Sequence, residues 1–135
     1  MTVVVQVPHD RVHQTWPSVA HFFASVVPHT NGDFTLEQMK GKICTGAWGL
    51  IVFLDGDNII GALSVTYENR LNNRVAFIPA LAGEGLTNQD NWAQLKAIFA
   101  RNGATYTEAA MRPATLRLWQ SLGFSEKYRI AGVSL

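Results

Sequence analysis

The sequence has 135 residues, of which 47% are hydrophobic and 16% are charged, and its formal net charge is +1 with neutral histidines. These values indicate a single globular domain spanning residues 1–135, and they exclude a disordered chain and charge-driven binding to nucleic acid or to a membrane surface. One cysteine excludes a disulfide framework, and no apolar run approaches the about 20 residues of a membrane span, so we expect a soluble, cytoplasmic protein.

The first third of the chain predicts one strand and three helical segments. Residues 2–7 are rich in β-branched side chains, as is typical of a strand. Asp10 predicts the cap of a short helical turn, and Pro17 predicts the first turn of a second helix, where a missing amide hydrogen costs nothing. Thr35 and Gln38 have the spacing of a capping box, which predicts the start of a third helix.

Three apolar runs in the middle of the chain predict antiparallel strands. Residues 48–54 and 59–66 flank the turn sequence Asp-Gly-Asp-Asn, which is the pattern of a β-hairpin. A polar turn then precedes a third run at residues 74–81. The middle of the chain therefore predicts a three-stranded antiparallel unit.

The last third predicts helices that alternate with strands. Thr87 and Asp90 have the spacing of a second capping box, at the start of a helix that follows a glycine-containing loop. A strand at residues 104–111, a helix at 113–122 and a final strand or strand pair at 126–135 complete the order. Helices between later strands imply parallel pairing there. The sequence thus predicts an α/β (α+β) fold with a mixed, mostly antiparallel sheet flanked by helices on both faces.

Two stretches resemble motifs of the GNAT (N-acetyltransferase) superfamily. In VAFIPALAGEG, Gly83 and Gly85 match the small positions of the pattern Gln/Arg-x-x-Gly-x-Gly/Ala, and Ala80 replaces its polar residue. LRLWQSLGF is similar to Leu-Tyr-x-x-x-Gly-Phe, with Trp119 in place of the tyrosine. The matching positions of this second motif are Leu118, Gly123 and Phe124. The order of elements extends the resemblance over nearly the whole chain, and MRPATLRLWQSLGF looks closest to small GNAT-like proteins of tailed bacteriophages.

This resemblance implies acetyl-CoA as the cofactor and a GNAT-like fold. GNAT enzymes bind the pyrophosphate of coenzyme A on backbone amides at a helix N-terminus, where the helix dipole attracts anions. The residues expected at the cofactor are Leu81, Gly83, Gly85, Leu86 and Thr87. Glu84 would repel a phosphate unless its carboxylate points away. Pro79 suits a strand edge or bulge, where it either removes a donor for the pantetheine arm or only protects the edge.

Acyl transfer to an amine needs a base and often an acid. Trp119 cannot act as the acid, because its indole N–H does not titrate in a useful range, so Tyr106 and Tyr128 are candidate replacements. Glu68 and Glu108 are the candidate bases, since a glutamate in an apolar strand is expected to have a raised pKa. The alternative for each glutamate is a solvated or paired surface carboxylate.

Two histidines near the N-terminus have a spacing that can hold zinc. His9 and His13 are four residues apart, but no third ligand of matching type is close to them in sequence. We therefore predict a polar surface there and no metal site. Cys44 has no partner histidine in sequence, which favours a small buried residue over a nucleophile.

The sequence leaves two main functions open, and an inhibitor of a host enzyme is a third that it allows. The first is an acyl-CoA-dependent N-acyltransferase that acts on a small-molecule or protein amine. The second is a non-catalytic protein that keeps the GNAT fold, such as a phage virion component that binds a phage or host protein, in the host cytoplasm or the virion. The glycine pair favours the first function, and the departures at Pro79, Ala80, Glu84 and Trp119 favour the second.

Overall fold

A five-stranded mixed sheet forms the centre of the computed structural model, which describes residues 1–135. The strands lie side by side in chain order: β1 (Thr2–Gln6), β2 (Gly49–Asp55), β3 (Asn58–Asn69), β4 (Arg74–Gly83) and β5 (Tyr106–Ala109). The first three pairings are antiparallel and the pairing of β4 with β5 is parallel. The predicted mixed, mostly antiparallel sheet is confirmed.

Four α-helices flank this sheet. They are α1 (Val12–Val26), α2 (Leu36–Cys44), α3 (Gln89–Arg101) and α4 (Pro113–Trp119). Short 3-10 turns lie at His9–Arg11, Val27–His29 and Gln120–Leu122. The capping box predicted for α2 is present: the Gln38 amide donates to Thr35 Oγ1 at 3.1 Å, and the Thr35 amide donates to Gln38 Oε1 at 2.9 Å. None of the helices has the length and apolar character needed to cross a bilayer.

The helices bury both faces of the sheet, as the fold class predicts. Successive residues of a strand point to opposite faces. In β2, Leu50 and Val52 therefore pack with α1 and α2, while Ile51 and Phe53 pack with α3 and α4. This explains why the strand reads as a continuous apolar run rather than an alternating one.

A bulge interrupts the ladder between β3 and β4. Between the paired residues Ser64–Ala80 and Thr66–Phe77, β3 has one residue and β4 has two. The extra residue shifts the alternation of β4 and bends the strand. Pro79 lies in this bulge, in agreement with the predicted edge or bulge position.

Helix α1 does not begin at Pro17, contrary to the sequence prediction. It begins at Val12 and contains Pro17 in its interior. A proline inside a helix removes one backbone hydrogen bond and costs about 3 kcal/mol. Full burial of a large apolar side chain contributes about 1.5–3 kcal/mol. The buried side chains of α1 are Val12, Trp16, Val19 and Phe23, and together they offset the defect.

The predicted cap of α3 is also wrong, by one residue. Asn88 is the N-cap, and its Oδ1 accepts a hydrogen bond from the Asn91 amide at 2.8 Å. Leu86 is buried and pulls the preceding loop onto the core, so Thr87 still belongs to the loop. Asn88 and Asn91 therefore replace the predicted pair of Thr87 and Asp90.

The predicted final strand is absent. Residues 125–135 form neither helix nor strand, and the side chains of Ile130, Val133 and Leu135 are almost fully exposed. A strand needs a hydrogen-bonded neighbour, and local apolar composition does not supply one. An ion pair between Lys127 and Glu108 of β5 links the segment to the sheet instead of a backbone ladder.

Candidate functional site: the gap between β4 and β5

Strand β4 continues well beyond the point where β5 leaves it. The two strands pair only from Val75 to Ile78 on β4, and the Ala110 amide makes one further bond, of 3.3 Å, to the Ile78 carbonyl. Beyond Ile78, the edge of β4 from Pro79 to Gly83 has no partner on that side. The bulge at Pro79 therefore stands at the mouth of a wedge-shaped gap.

A groove of about 1710 Å³ opens at this gap. Its volume exceeds the roughly 300–1,000 Å³ of a compact ligand pocket, and it suits an extended ligand. His29, Asp33 and Phe34, from the connection between α1 and α2, line one side. Trp92 of α3 and Trp119 of α4 line the other. The groove thus reaches both faces of the sheet.

The loop between β4 and α3 lies at one end of the groove with its backbone amides free. None of the amides of residues 84–88 donates a hydrogen bond within the chain. Gly85 has a φ of +69°, and a Cβ added there would meet no atom within 4 Å. Gly83 has a φ of +136°, and a Cβ there would lie 2.6 Å from the Ile60 carbonyl oxygen. Gly83 is therefore required by packing, whereas Gly85 is required only by the turn.

Asn91 fixes the shape of this loop, although it belongs to neither GNAT-like motif. Its side chain is 1% exposed, and Nδ2 donates to the Leu86 carbonyl at 2.9 Å. The Leu86 side chain is buried in the core shared with α3. The spacing of Asn88 and Asn91 is the usual spacing of an N-cap pair, and that pattern was available in the sequence.

The residues expected at the cofactor occupy different positions around the loop. Leu81, Gly83, Leu86 and Thr87 line the groove, whereas Gly85 lies outside its lining. The Leu86 side chain is buried, and the Leu86 amide donates no hydrogen bond within the chain. Glu84 is exposed and does not line the groove.

Trp119 occupies the position of the motif's tyrosine and is 2% exposed. Its ring packs edge to face on Phe124, with centroids 5.1 Å apart, and on Trp92, with centroids 6.2 Å apart. This aromatic cluster contributes to the groove lining and to the core. It places no titratable hydroxyl at this position.

The candidate base Glu108 is neutralised by two cations. Its Oε2 accepts a hydrogen bond from Arg70 Nη1 at 2.8 Å and pairs with Lys127. The hydrogen bond from Arg70 is the main cause that lowers the pKa of Glu108, and Lys127 adds to the effect. The expectation of a raised pKa is wrong, because long-range contacts supply charge partners that outweigh desolvation.

The other predicted catalytic residues are less tightly placed. Glu68 Oε2 pairs with Arg70 Nη2 at 2.9 Å, and Glu68 does not line the groove. Tyr128 lines the groove but is 62% exposed, with Lys127 Nζ 5.7 Å from its ring centroid. Tyr106 also lines the groove, and Lys127 Nζ lies 5.0 Å from its ring centroid. Arg70 thus brings Glu68 and Glu108 together as a surface ion network.

The histidines predicted from spacing lie away from the gap. His9 is in a 3-10 turn with Nε2 3.1 Å from the Cys44 carbonyl oxygen, and His13 is in α1. No group of three or more His, Cys, Asp or Glu side chains is arranged to hold a metal ion. His29 and Asp33 do line the groove, and nothing in their sequence context distinguished them from ordinary loop residues.

Solved structures share this architecture over the whole chain. An aminoglycoside acetyltransferase from an uncultured soil metagenomic sample, in complex with sisomicin, matches with a TM-score of 0.70 and 11% identity, over 99% of this chain and 95% of that chain. A possible acetyltransferase from Clostridium difficile 630 matches with a TM-score of 0.63 and 11% identity, over 100% and 98% of the two chains. The chain has a GNAT-like fold.

Because their sequence identities are low, these matches show the fold of the chain and not its function. A transcriptional regulator from Bacillus halodurans C-125 has the same fold, with a TM-score of 0.65, 18% identity and 100% coverage of both chains. No protein-family model matches the sequence, and no curated protein matches it. The narrower resemblance to phage proteins is not shown by these matches. Function therefore has to be argued from the site.

Proposed function

We propose that this chain binds acetyl-CoA in the gap between β4 and β5 and transfers its acetyl group to an amine. One observation carries the proposal: the unpaired edge of β4 beyond the bulge at Pro79 leads directly to the loop at the start of α3, whose amides are free. An extended ligand matches this arrangement if its amide groups lie along the strand edge and its pyrophosphate lies at the loop.

The residues present fit coenzyme A. Free amides at residues 84–88 stand at the positive end of the α3 dipole, which favours a pyrophosphate. The open space at Gly85 allows close approach of phosphate oxygens to the backbone. The edge of β4 from Ala80 to Gly83 offers backbone groups to the pantetheine amides. Pro79 removes one donor, and it does so at the bulge rather than along this edge.

When bound, the coenzyme supplies a reactive acetyl thioester, and the chain supplies positioning and proton transfer. We assign the base to His29, because imidazole is the commonest general base in enzymes and His29 is exposed to the groove. Glu108 is a poor base, since Arg70 and Lys127 stabilise its ionised form. Trp119 has no hydroxyl at the motif's tyrosine position. We therefore propose that the hydroxyl of Tyr128, which lines the groove, donates a proton to the leaving sulfur.

A thermal-unfolding scan with acetyl-CoA tests the proposal. A ligand at a hundredfold excess over its dissociation constant adds about 2.7 kcal/mol and raises the midpoint by several degrees. Acetyl-CoA and desulfo-CoA should both produce this rise, because both carry the pyrophosphate and the pantetheine amides, whereas ATP should not. No rise at millimolar acetyl-CoA would contradict the proposal.

A non-catalytic protein that keeps the GNAT fold is the second candidate. The absence of a hydroxyl at Trp119 favours it, as does the exposed Leu118 on α4. This candidate predicts that neither acetyl-CoA nor desulfo-CoA changes the unfolding midpoint. The same scan therefore separates the two functions.

A further inference from the structure

The carboxylates that line the groove are mostly neutralised. They are Asp33, Glu108 and Glu126. Glu108 pairs with Arg70 and Lys127, and Glu126 Oε1 lies 3.1 Å from Arg129 Nε. Asp33, on the connection between α1 and α2, takes part in no ion pair. Only one carboxylate in the groove therefore remains to receive a cationic group.

Cations outnumber carboxylates in the same lining. The basic side chains are Lys96, Arg112, Arg117, Lys127 and Arg129. Lys96, Arg112 and Arg117 belong to or adjoin α3 and α4, and none of them forms an ion pair. A groove with this excess of positive charge attracts an anionic coenzyme and repels a polycationic acceptor.

Apolar side chains accompany Asp33 on its side of the sheet. Ile78 and Ala109 pack with the core of α3 and α4, so their strand neighbours Phe77 and Glu108 point to the opposite face. Phe77 lines the groove together with Phe34 from the connection between α1 and α2. An amine that enters from this side meets two aromatic rings and one unpaired carboxylate.

On the basis of the proposed function, we infer that the acceptor is a small primary amine with a single positive charge on an apolar body. Asp33 receives its ammonium group, while Phe34 and Phe77 contact its body. A second or third ammonium group would find the other two groove carboxylates, Glu108 and Glu126, already paired with basic side chains. The acceptor class therefore differs from the polycationic aminoglycosides.

The acceptor enters as an ammonium ion, so its nitrogen loses two protons during the transfer. The first proton goes to the base, and the neutral amine that results forms a bond to the acetyl carbon. The carbon–sulfur bond breaks, the nitrogen loses its second proton and the sulfur takes up one proton, so that one proton in all is released to solvent. The products are an uncharged amide and a free thiol, so the positive charge that Asp33 held is lost on reaction, which favours release of the product.

Matched amines test the inference. Hexylamine and 1,6-diaminohexane have the same length and differ by one ammonium group, and sisomicin provides a polycation. With acetyl-CoA present, released coenzyme A is quantified by chromatography. We expect kcat/KM for hexylamine to exceed that for diaminohexane by about tenfold, which corresponds to about 1.4 kcal/mol. Equal or greater values for diaminohexane or sisomicin would overturn the acceptor class and leave the proposed function intact. No transfer to any amine, together with no acetyl-CoA binding, would overturn both.

Two substitutions locate the effect. Asp33 is exposed, so Asp33→Asn should lower kcat/KM for hexylamine by up to about fivefold, as expected for one exposed ion pair, and leave acetyl-CoA affinity unchanged. Asp57→Asn, in the exposed turn between β2 and β3, is the matched control and should change neither quantity. Lys127→Gln should raise the ratio of diaminohexane to hexylamine activity. An Asp33→Asn variant with wild-type activity on hexylamine would contradict the assignment.

Discussion

The side-chain amide of Asn91 donates a 2.9 Å hydrogen bond to the Leu86 carbonyl, and this bond ties the first turn of α3 to the loop that precedes it. Asn91 is buried. The backbone amides of the loop, at residues 84–88, donate no hydrogen bond within the chain. The conformation of the proposed phosphate site thus depends on one buried asparagine that the GNAT-like motif does not include.

Replacing Asn91 should weaken coenzyme binding more than it weakens the fold. Asn91→Ala leaves the Leu86 carbonyl buried without a donor, which costs about 1–3 kcal/mol of unfolding free energy. It also frees the loop, so the dissociation constant of acetyl-CoA should rise while that of acetyl-pantetheine, which lacks the pyrophosphate, stays constant. Urea unfolding and calorimetric titration measure the two effects. Asn72→Ala, in the exposed turn between β3 and β4, is the control; equal losses for both ligands would contradict the positioning role.

The two loop glycines should differ in their tolerance of alanine. Gly85→Ala is strained only by its positive φ, at a cost of about 1–2 kcal/mol. Gly83→Ala adds a clash with the Ile60 carbonyl oxygen and the Gly61 Cα, so its total cost should exceed about 3 kcal/mol. Urea denaturation of both variants measures the difference. Equal stabilities would show that the backbone at Gly83 is not held as tightly as its contacts imply.

Trp119 should prove essential to the core beneath the groove. Trp119→Ala removes a ring that packs on Trp92 and Phe124, and a buried large-to-small change of this kind costs about 3–5 kcal/mol. Leu118→Ala, one residue earlier and 62% exposed, should change the unfolding free energy by less than about 0.5 kcal/mol. Urea unfolding of the pair is the measurement. A small effect of Trp119→Ala would mean that the aromatic cluster contributes little to stability.

The ion pairs of Glu108 should make stability depend on pH in the acidic range. The folded pKa of Glu108 is lowered, so its contribution is fully present above the ordinary glutamate pKa and is lost as pH falls through the folded value. Wild type should therefore be more stable than Glu108→Gln at pH 7, by up to about 1 kcal/mol, and this advantage should shrink as the pH falls below about 4. Asp57→Asn provides the control. An advantage that grows toward low pH would contradict the sign of the shift.

Local sequence patterns predicted the parts of the fold that local interactions determine. The Asp-Gly-Asp-Asn turn gives the hairpin of β2 and β3, the pair Thr35 and Gln38 caps α2, and Pro79 lies in a bulge. Pro17 misled the prediction because burial along α1 outweighs the cost of an internal proline. Residues 126–135 misled it because strand propensity does not provide a neighbouring strand.

The electrostatics of the site could not be read from local pattern. Glu108 meets Arg70 from 38 residues earlier and Lys127 from 19 residues later, and these contacts reverse the expected direction of its pKa shift. His29 and Asp33 reach the groove only because the connection between α1 and α2 lies beside the end of β4. Their assignment required the fold.

Amide chemical-shift changes on addition of acetyl-CoA to the ¹⁵N-labelled protein test the central claim most directly, because they report both binding and its place. We predict that the largest changes occur at residues 84–88 and along the free edge of β4 from Ala80 to Gly83, with little change in β1 and α2. No changes at millimolar acetyl-CoA, or changes confined to another part of the chain, would contradict the account.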